Sequence, residues 1–244
     1  MKILITQELF PPDITGGGET LSLKIAQGLT DRGHKIKVVC TGDPKIKNYK
    51  KIETVRIPIN RYFMNLSAPI ILKNAKDFDI IHTSSGNMCY PSLIAAKFLN
   101  KPICCYIHHI FGPVWKDVRE DVTGSVFQSV EKFVLTKDYD AFIFQNKLSQ
   151  KIGLDMGMDK EKMHLIQPGI DYKKFQIKNI KKENFVLFVG NMSMNKSMVK
   201  IKGLDYLVES ARILSNTKFV VVGDRKSTRL NSSHSAKSRM PSSA

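Results

Sequence analysis

Residues 1–33 read MKILITQELFPPDITGGGETLSLKIAQGLTDRG, with a short apolar run and a helical pattern on either side of three glycines. The run at residues 2–6 is rich in β-branched side chains, as is typical of a parallel strand covered on both faces. From Glu19 the apolar residues recur at helical spacing until Gly33, which favours a left-handed helix stop. The stretch therefore predicts a strand, a turn and a helix.

The glycine triplet Gly16-Gly17-Gly18 falls where this helix begins. A helix start presents unpaired N–H groups and a partial positive charge, and glycine lets an anion come close to the backbone. One interpretation is therefore a phosphate-binding turn. The other is a flexible turn before an ordinary acidic residue, Glu19. The spacing leaves both open, because GGGE differs from the GxGxxG fingerprint of dinucleotide-binding folds.

The alternation of strand and helix continues to about residue 170. Apolar runs predict strands, apolar residues at helical spacing predict helices, and residues 42–51 are predicted as a lysine-rich loop. Further strands are predicted at 35–41, 53–59, 77–82, 103–107, 141–144 and 163–166, and helices at 61–76, 91–99, 115–135 and 147–152. This order predicts an α/β fold, a doubly wound parallel sheet with helices on both faces.

Residues 61–76, RYFMNLSAPIILKNAK, combine an apolar centre with basic ends. A helix packed on the core explains the pattern, and so does a surface helix that touches lipid.

The composition changes after residue 171. We predict a first domain at 1–171, a lysine-rich linker at 172–184, the start of a second α/β domain at 185–224 and a tail at 225–244. The second domain has a strand at 185–189, a helix at 203–214 and a strand at 218–222, too little to bury a core by itself.

The totals describe a globular protein of 244 residues, 42% of them hydrophobic. No window reaches about 18 consecutive apolar residues, and the N-terminus lacks a signal-peptide core, so we expect a cytoplasmic protein. The four cysteines show no CxxC spacing, which favours free structural thiols, and no metal site is expected.

The net charge of +16 suggests nucleic acid or an anionic membrane surface as a partner. Residues 225–244 contribute five basic and no acidic side chains, which leaves +11 for the rest. Nucleic acid is not the expected partner, because the lysines lie in loops without the interleaved aromatic residues of a stacking platform. A nucleic-acid-binding module and a nicotinamide-dependent oxidoreductase remain the alternatives, although the latter lacks GxGxxG.

Several motifs stand in a defined order along the chain. They are GGGE at 16–19, RGH at 32–34, DFDIIH at 77–82, KP before a strand ending at His108, PGID at 168–171, VGN at 189–191 and KGLDYLVESARIL at 202–214. In these motifs the chain resembles the GT-B retaining glycosyltransferases of family 4. That resemblance implies two Rossmann-like domains, a nucleotide-sugar donor and a glycan or lipid-linked acceptor, with contact to an anionic membrane as a further expectation and no cofactor.

The resemblance also implies roles for single residues. Gly17 and Gly18 would approach the donor's phosphates while Glu19 opens the helix, His108 would lie near the transferred sugar, and Lys202 would neutralise the diphosphate. Further substrate contacts are expected at Gly16, His109, Asn191 and Gly203. Asn191 stands where the family usually has arginine, and asparagine cannot neutralise a diphosphate.

The tail DRKSTRLNSSH at 224–234 and SRMPSSA at 238–244 resembles the translation of a sequencing adapter. On that interpretation the natural gene continues beyond residue 223 or 224, and the C-terminally truncated chain is inactive. The other interpretation is a genuine basic, serine-rich disordered tail.

Overall fold

The computed structural model describes residues 1–13, 16–119, 122–176, 183–190 and 202–223. The chain forms two compact units, the first made of residues 1–116 and 121–170 and the second of residues 117–120 and 171–244. The tail at 225–244 and residues 177–182 of the predicted linker lie outside the described residues.

The first unit alternates strands and helices along the chain. The strands are β1 (Lys2–Thr6), β2 (Lys35–Thr41), β3 (Asn48–Tyr49), β4 (Ile52–Ile57), β5 (Ile80–Ser84), β6 (Ile103–Ile107), β7 (Ala141–Phe144) and β8 (Met163–Leu165). The helices are α1 (Gly17–Asp31), α2 (Ala68–Ala75), α3 (Cys89–Phe98), α4 (Trp115–Val118), α5 (Val122–Leu135) and α6 (Lys147–Met156).

The eight strands form one sheet in the order β3-β4-β2-β1-β5-β6-β7-β8. β1 lies inside the sheet and pairs in parallel with β2 and β5, with Thr6 opposite Val39 on one side and Thr83 on the other. All pairings are parallel except that of β3 with β4. The predicted α/β class with a doubly wound sheet is confirmed.

Alternate residues of β1 enter two separate apolar clusters. Leu4 belongs to the larger cluster, with Ile81 and Phe142, whereas Ile3 and Ile5 belong to the smaller one. Successive side chains of a strand point to opposite faces, so the sheet carries a core on each face. This explains why the first strand reads as a continuous apolar run.

The predicted loop at 42–51 is wrong in part, because it contains the short strand β3. Asn48 and Tyr49 pair with β4 in an antiparallel hairpin. The turn uses Lys50 and Lys51 at φ of 46° and 68°. Lysine is not a usual turn residue at positive φ, so the sequence carries no hairpin signal.

The predicted helix at 61–76 is two elements, a 3₁₀ turn at Arg61–Leu66 and the helix α2. Ser67 separates them, and its hydroxyl donates to the Met64 carbonyl at 2.6 Å. Met64, Ile71 and Ala75 are buried in the larger cluster. Packing on the core therefore describes α2, whereas the apolar residues of the 3₁₀ turn are mostly exposed. Contact of this segment with lipid stays a prediction.

The predicted single helix at 115–135 is also wrong, because α4 ends at Val118 and α5 begins at Val122. These two valines keep helical spacing across the break, so apolar periodicity alone cannot show the interruption. Glu131 on α5 accepts hydrogen bonds from the N–H groups of Phe111 and Gly112, at 3.2 and 2.7 Å. The carboxylate thereby fixes the turn that precedes α4.

The second unit contains β9 (Phe185–Val189), α7 (Leu204–Ile213) and β10 (Lys218–Val222). The two strands pair in parallel, with Phe185 opposite Lys218. A 3₁₀ turn at Tyr172–Phe175 occupies the start of the predicted linker.

Candidate functional site

The candidate site lies at the carboxyl edge of the sheet, where the parallel strands β1, β5, β6 and β7 end together. In open α/β sheets this edge is where ligands bind. The loop after β1 leads into α1, while His108 and Gln145 directly follow β6 and β7. The connections after β1, β6 and β7 thus bring polar groups to one edge.

The glycine turn forms the first turn of α1, which starts at Gly17, two residues before the predicted start. Gly16 is the N-cap residue in an extended conformation. The carboxylate of Glu19 accepts a hydrogen bond from the Gly16 N–H at 2.9 Å. Glu19 therefore caps its own helix, a contact that the sequence analysis did not predict.

Gly18 and His108 meet across the edge of the sheet. A Cβ built on Gly18 would lie 3.6 Å from Cε1 of His108, whereas one on Gly17 would meet nothing within 4 Å. The imidazole therefore packs directly beside the start of α1. The two predicted site residues are 90 positions apart in the chain, and the fold places them so close that a single methyl group on Gly18 would touch the imidazole.

His108 is held in a defined orientation by its neighbours. The amide nitrogen of Gln145 lies 3.0 Å from Nδ1, and the ring packs edge-on against Tyr106 with the centroids 5.1 Å apart. Burial lowers the pKa of His108 to about 4, helped by the positive charges that His109 and His82 would carry. His108 is therefore neutral at physiological pH. Its Nε2 is buried and has no hydrogen-bond partner among the described residues.

His109 points into different surroundings from His108. It is exposed, and its ring packs edge-on against Phe111 at 4.5 Å between centroids. Phe111 contacts Trp115 at 4.4 Å, and Trp115 stacks on Phe127 at 5.1 Å. The structure thus places His108 beside the glycine turn and His109 at the end of an aromatic row. A substrate contact of His109 stays a prediction.

The loop after β1 is fixed by a buried arginine that the sequence analysis missed. The guanidinium of Arg56 on β4 donates to the carbonyls of Phe10, at 3.1 Å, and Pro11, and to Asp13 at 2.8 Å. The only sequence signal is an arginine inside the apolar alternation of the strand. Arg56 holds the chain just before the glycine turn.

Glu8 fixes a second loop at the same edge. Its carboxylate accepts the N–H of Asn87 at 2.6 Å and lies 3.5 Å from Nε of Arg61. Burial raises the pKa of Glu8, against the lowering effect of the Asn87 hydrogen bond and of Arg61.

A cleft of about 510 Å³ opens beside the loop that follows β1, at the ends of β1, β2 and β4. Apolar side chains and two carboxylates share its wall. The lining residues are Leu9, Phe10, Asp13, Thr41, Gly42, Asp43, Pro58, Ile59, Asn60, Arg61 and Tyr62.

Three predicted donor-side residues fall outside the first unit. Lys202 is exposed in the second unit, and Gly203 is the N-cap residue of α7 at a φ of 68°. Asn191 lies outside the described residues. The roles of all three stay predictions.

The cysteines are free, as predicted. Burial raises the pKa of Cys40 and of Cys104 to about 12, which makes both thiols unreactive. In the parts of the chain that the structure describes, no group of three or more histidine, cysteine or acidic side chains could hold a metal ion. No helix among the described residues is long and apolar enough to cross a membrane.

The sequence profile of Glycosyltransferase Family 4 matches residues 15–174, which include the glycine turn and His108. The chain belongs to this family. The match covers two thirds of the 244 residues and agrees with the resemblance found in the motifs. Family membership favours the glycosyltransferase interpretation over a nucleic-acid-binding module or an oxidoreductase. No curated protein matches the chain significantly in sequence.

Several solved structures share the fold of this family 4 chain. Anabaena Alr3699/HepE, in complex with UDP-glucose, is 17% identical with a TM-score of 0.59, over 92% of this chain and 70% of that one. Sucrose-phosphate synthase from Thermosynechococcus elongatus is 15% identical with a TM-score of 0.62, over 91% and 71%. S. aureus MnaA, in a structure with UDP, is 14% identical with a TM-score of 0.55, over 92% and 63%. At these identities the likeness concerns the fold.

Proposed function

We propose that this chain transfers a sugar from a nucleotide-sugar donor to a hydroxyl of a glycan or lipid-linked acceptor, with retention of configuration. The observation that supports it most is the apposition of Gly18 and His108 at the start of α1. A helix start attracts phosphate, and a neutral imidazole beside it can hydrogen-bond a sugar. Two fold relatives, Anabaena Alr3699/HepE and S. aureus MnaA, have structures with UDP-glucose and with UDP, respectively, which supports a donor of this class.

In the proposed reaction the protein contributes position and charge stabilisation. The Gly16 N–H is occupied by Glu19, so the phosphate contacts fall to the backbone of Gly17 and Gly18. His108 donates a hydrogen bond to the sugar. The family resemblance implies that Lys202 neutralises the diphosphate, and this role stays a proposal. The nucleotide sugar is a substrate, and we expect the rate to be unchanged when a metal chelator is added.

The cleft beside the β1 loop is our proposed acceptor site. Tyr62 offers an aromatic face for a sugar ring, and the carboxylates of Asp13 and Asp43 offer hydrogen-bond acceptors for its hydroxyls. Asp43 is partly committed, because it accepts the Lys45 N–H at 2.9 Å. The apolar part of the wall, at Leu9 and Ile59, suits the non-sugar part of an acceptor.

The test of the function follows UDP release from UDP-glucose together with binding of UDP-glucose by calorimetry. For the intact protein we expect His108→Ala to lower turnover about a hundredfold, the usual cost of one preorganised donor. The chain of 244 residues is itself expected to turn over little or not at all if it is truncated. His164→Ala removes an exposed histidine and serves as the matched control. Equal turnover of the two variants, or no binding of any nucleotide sugar to the wild-type chain, would contradict the proposal.

A second proposal concerns an anionic lipid surface, which would place this protein at the inner face of the cytoplasmic membrane. In the 3₁₀ turn, Tyr62, Phe63 and Leu66 expose 64%, 61% and 76% of their surface. Arg61 precedes them and Lys73 follows on α2. Exposed apolar side chains flanked by basic ones are typical of interfacial helices.

Co-sedimentation with vesicles tests this surface. We expect binding to vesicles that contain phosphatidylglycerol and none to phosphatidylcholine alone, with Phe63→Ser and Leu66→Ser together abolishing it. Phe98→Ser is the matched control, since Phe98 exposes 79% of its surface on another helix, α3. Unchanged binding by the double variant would assign the lipid contact elsewhere.

A further inference from the structure

Two polar residues occupy equivalent positions at the ends of neighbouring strands. β6 and β7 pair in parallel with Ile107 opposite Phe144, so the next residues, His108 and Gln145, stand side by side. The amide nitrogen of Gln145 lies 3.0 Å from Nδ1 of His108. No motif singles out this glutamine. Its position directly after a strand is the signal that could have found it.

The backbone around Gln145 is held on both sides. Phe144 is fully buried at the end of β7, and Asn146 caps α6 by accepting the Ser149 N–H at 2.8 Å. Gln145 therefore stands between a buried strand end and a helix cap. A side chain on such a rigid segment can orient a neighbour with little loss of entropy.

Neutral imidazole carries one proton, either on Nδ1 or on Nε2, and the hydrogen bond at one nitrogen decides the state of the other. If Nδ1 accepts from an amide N–H, the proton must be on Nε2. In His108 that nitrogen is buried and lacks a partner among the described residues. A buried donor without a partner destabilises the folded chain, so such an arrangement needs an explanation.

We propose that Gln145 is a positioning residue that donates a hydrogen bond to Nδ1 of His108 and thereby keeps the imidazole proton on Nε2. The Nε2–H group can then donate a hydrogen bond to an oxygen of the sugar donor. The proposal rests on the proposed function, and it assigns a role to a residue outside the motifs of the sequence analysis. In this arrangement the unpaired Nε2–H is the group that the substrate satisfies.

The amide is suited to this task because it is uncharged. A carboxylate at residue 145 would accept a hydrogen bond from Nδ1–H and stabilise the imidazolium ion. An amide N–H stabilises only a lone pair at Nδ1, so the ring stays neutral. The other groups near His108 are the Tyr106 ring, the Ser85 hydroxyl at 3.4 Å from the His108 N–H, and the histidines 82 and 109. None of these contacts is a carboxylate.

The first experiment is nitrogen NMR of the histidine rings in the ligand-free chain, with the His108 signals assigned by their loss in His108→Gln. We expect the Nε2–H tautomer in the wild type. In Gln145→Met, which keeps the side-chain length and removes the amide, we expect a mixture of tautomers. In Gln145→Glu we expect the proton on Nδ1 and protonation of the ring at higher pH.

Gln27→Glu is the control for the added charge. Residue 27 lies on α1, ten residues beyond Gly17 and about 15 Å along the helix axis from it. We expect the His108 signals in this variant to match the wild type. A wild-type Nδ1–H tautomer, which means that the glutamine carbonyl oxygen faces the ring, would overturn the proposal. So would an unchanged tautomer in both Gln145 variants.

The second experiment separates positioning from stability. The proposed rate depends on the hydrogen bond from Nε2–H of His108 to the sugar donor. We therefore expect Gln145→Met to lower turnover of UDP-glucose about tenfold. We expect the KM and the unfolding midpoint in urea to be unchanged. A failure of the proposed function would abolish the kinetic difference and leave the NMR result intact. If Gln145 does not position His108, the NMR spectra of the ligand-free chain show it, because the tautomer of His108 is then the same in the wild type and in both Gln145 variants.

Discussion

The guanidinium of Arg56 lies 2.8 Å from the carboxylate of Asp13, 43 positions earlier in the chain. The arginine side chain is fully buried, whereas the aspartate is about one third exposed. The same guanidinium also binds two backbone carbonyls of the loop, those of Phe10 and Pro11. Arg56 thus makes two kinds of contact: a partly exposed ion pair with Asp13, and buried hydrogen bonds to the backbone carbonyls of Phe10 and Pro11.

This difference predicts unequal effects of removing the two partners. We expect Arg56→Met to lower the free energy of unfolding by about 1–3 kcal/mol, because two buried carbonyls lose their donor. Asp13→Asn should cost less than about 1 kcal/mol, since solvent screens its half of the pair. Urea titrations of both variants measure the two values. Equal losses would mean that the ion pair dominates the contact.

Gly18→Ala should separate helix stability from ligand binding. Alanine replaces a glycine in a helix, so we expect the free energy of unfolding to rise by about 0.5–1 kcal/mol. The new methyl group fits at 3.6 Å from His108 but occupies the approach to the backbone, so UDP-glucose should bind more weakly. Thermal unfolding and calorimetry measure the two effects.

Gly28→Ala supplies the comparison, because Gly28 lies in the same helix, α1, where a Cβ would meet only Arg32 at 3.5 Å. We expect a similar gain in stability and unchanged binding. Weaker binding in both variants would show that the effect is not local to the glycine turn.

His82 should make stability fall in mild acid. It lies on the central strand β5, and burial lowers its pKa to about 4 from an ordinary value of 6.5. Below pH 6.5 His82 is protonated in the unfolded chain, whereas in the folded chain it stays neutral down to about pH 4. The free energy of unfolding therefore has its full value above pH 6.5 and decreases as the pH falls towards 4. Between about pH 7.5 and about pH 5 we expect a loss of about 2 kcal/mol from this residue.

Urea titrations at the two pH values test this. We expect His82→Leu to reduce the pH dependence and to leave the part that comes from His108, whose pKa burial also lowers to about 4. The exposed His164 gives the control variant His164→Leu, which should keep the wild-type dependence. A wild-type slope in His82→Leu would assign the acid sensitivity to other groups, His108 among them.

Gly86→Ala should be more damaging than Gly157→Ala. Both glycines have positive φ, 115° and 94°, which costs any other residue about 1–2 kcal/mol. At Gly157 a Cβ would meet nothing within 4 Å, whereas at Gly86 it would collide with the carboxylate of Glu8. We expect about 1 kcal/mol more destabilisation at Gly86, because Glu8 must give up its hydrogen bond to Asn87. Equal losses in urea would show that Glu8 moves freely.

The sequence predicted the strands of the first unit well because burial on both faces leaves a local trace. Six of the seven predicted runs match strands to within two residues at each end, as at β2 and β6. Helix interruptions left no such trace: the apolar spacing continues through Ser67 and from Val118 to Val122. At the first break the Ser67 hydroxyl bonds the Met64 carbonyl, a backbone contact that leaves no mark on the apolar spacing.

The candidate site likewise contains residues that local sequence predicts and residues whose roles depend on the fold. The glycine turn and His108 could be found from motifs, whereas the contact between Gly18 and the imidazole depends on the order of β1, β5 and β6 in the sheet. Arg56 and Gln145 were missed because an isolated arginine or glutamine carries no pattern. Their roles exist only in three dimensions, where each reaches a segment more than 30 positions away.

The sheet ends on both sides in very short strands, β3 with two residues and β8 with three. An edge strand exposes unpaired backbone groups that can recruit a strand from another molecule and seed aggregation. Here a recruited strand would find two or three residues to pair with. At one edge it would also meet the lysines of the hairpin, residues 50 and 51. The central strands of this sheet can therefore be strongly apolar, because its short edge strands offer few backbone groups on which an amyloid-like strand could pair.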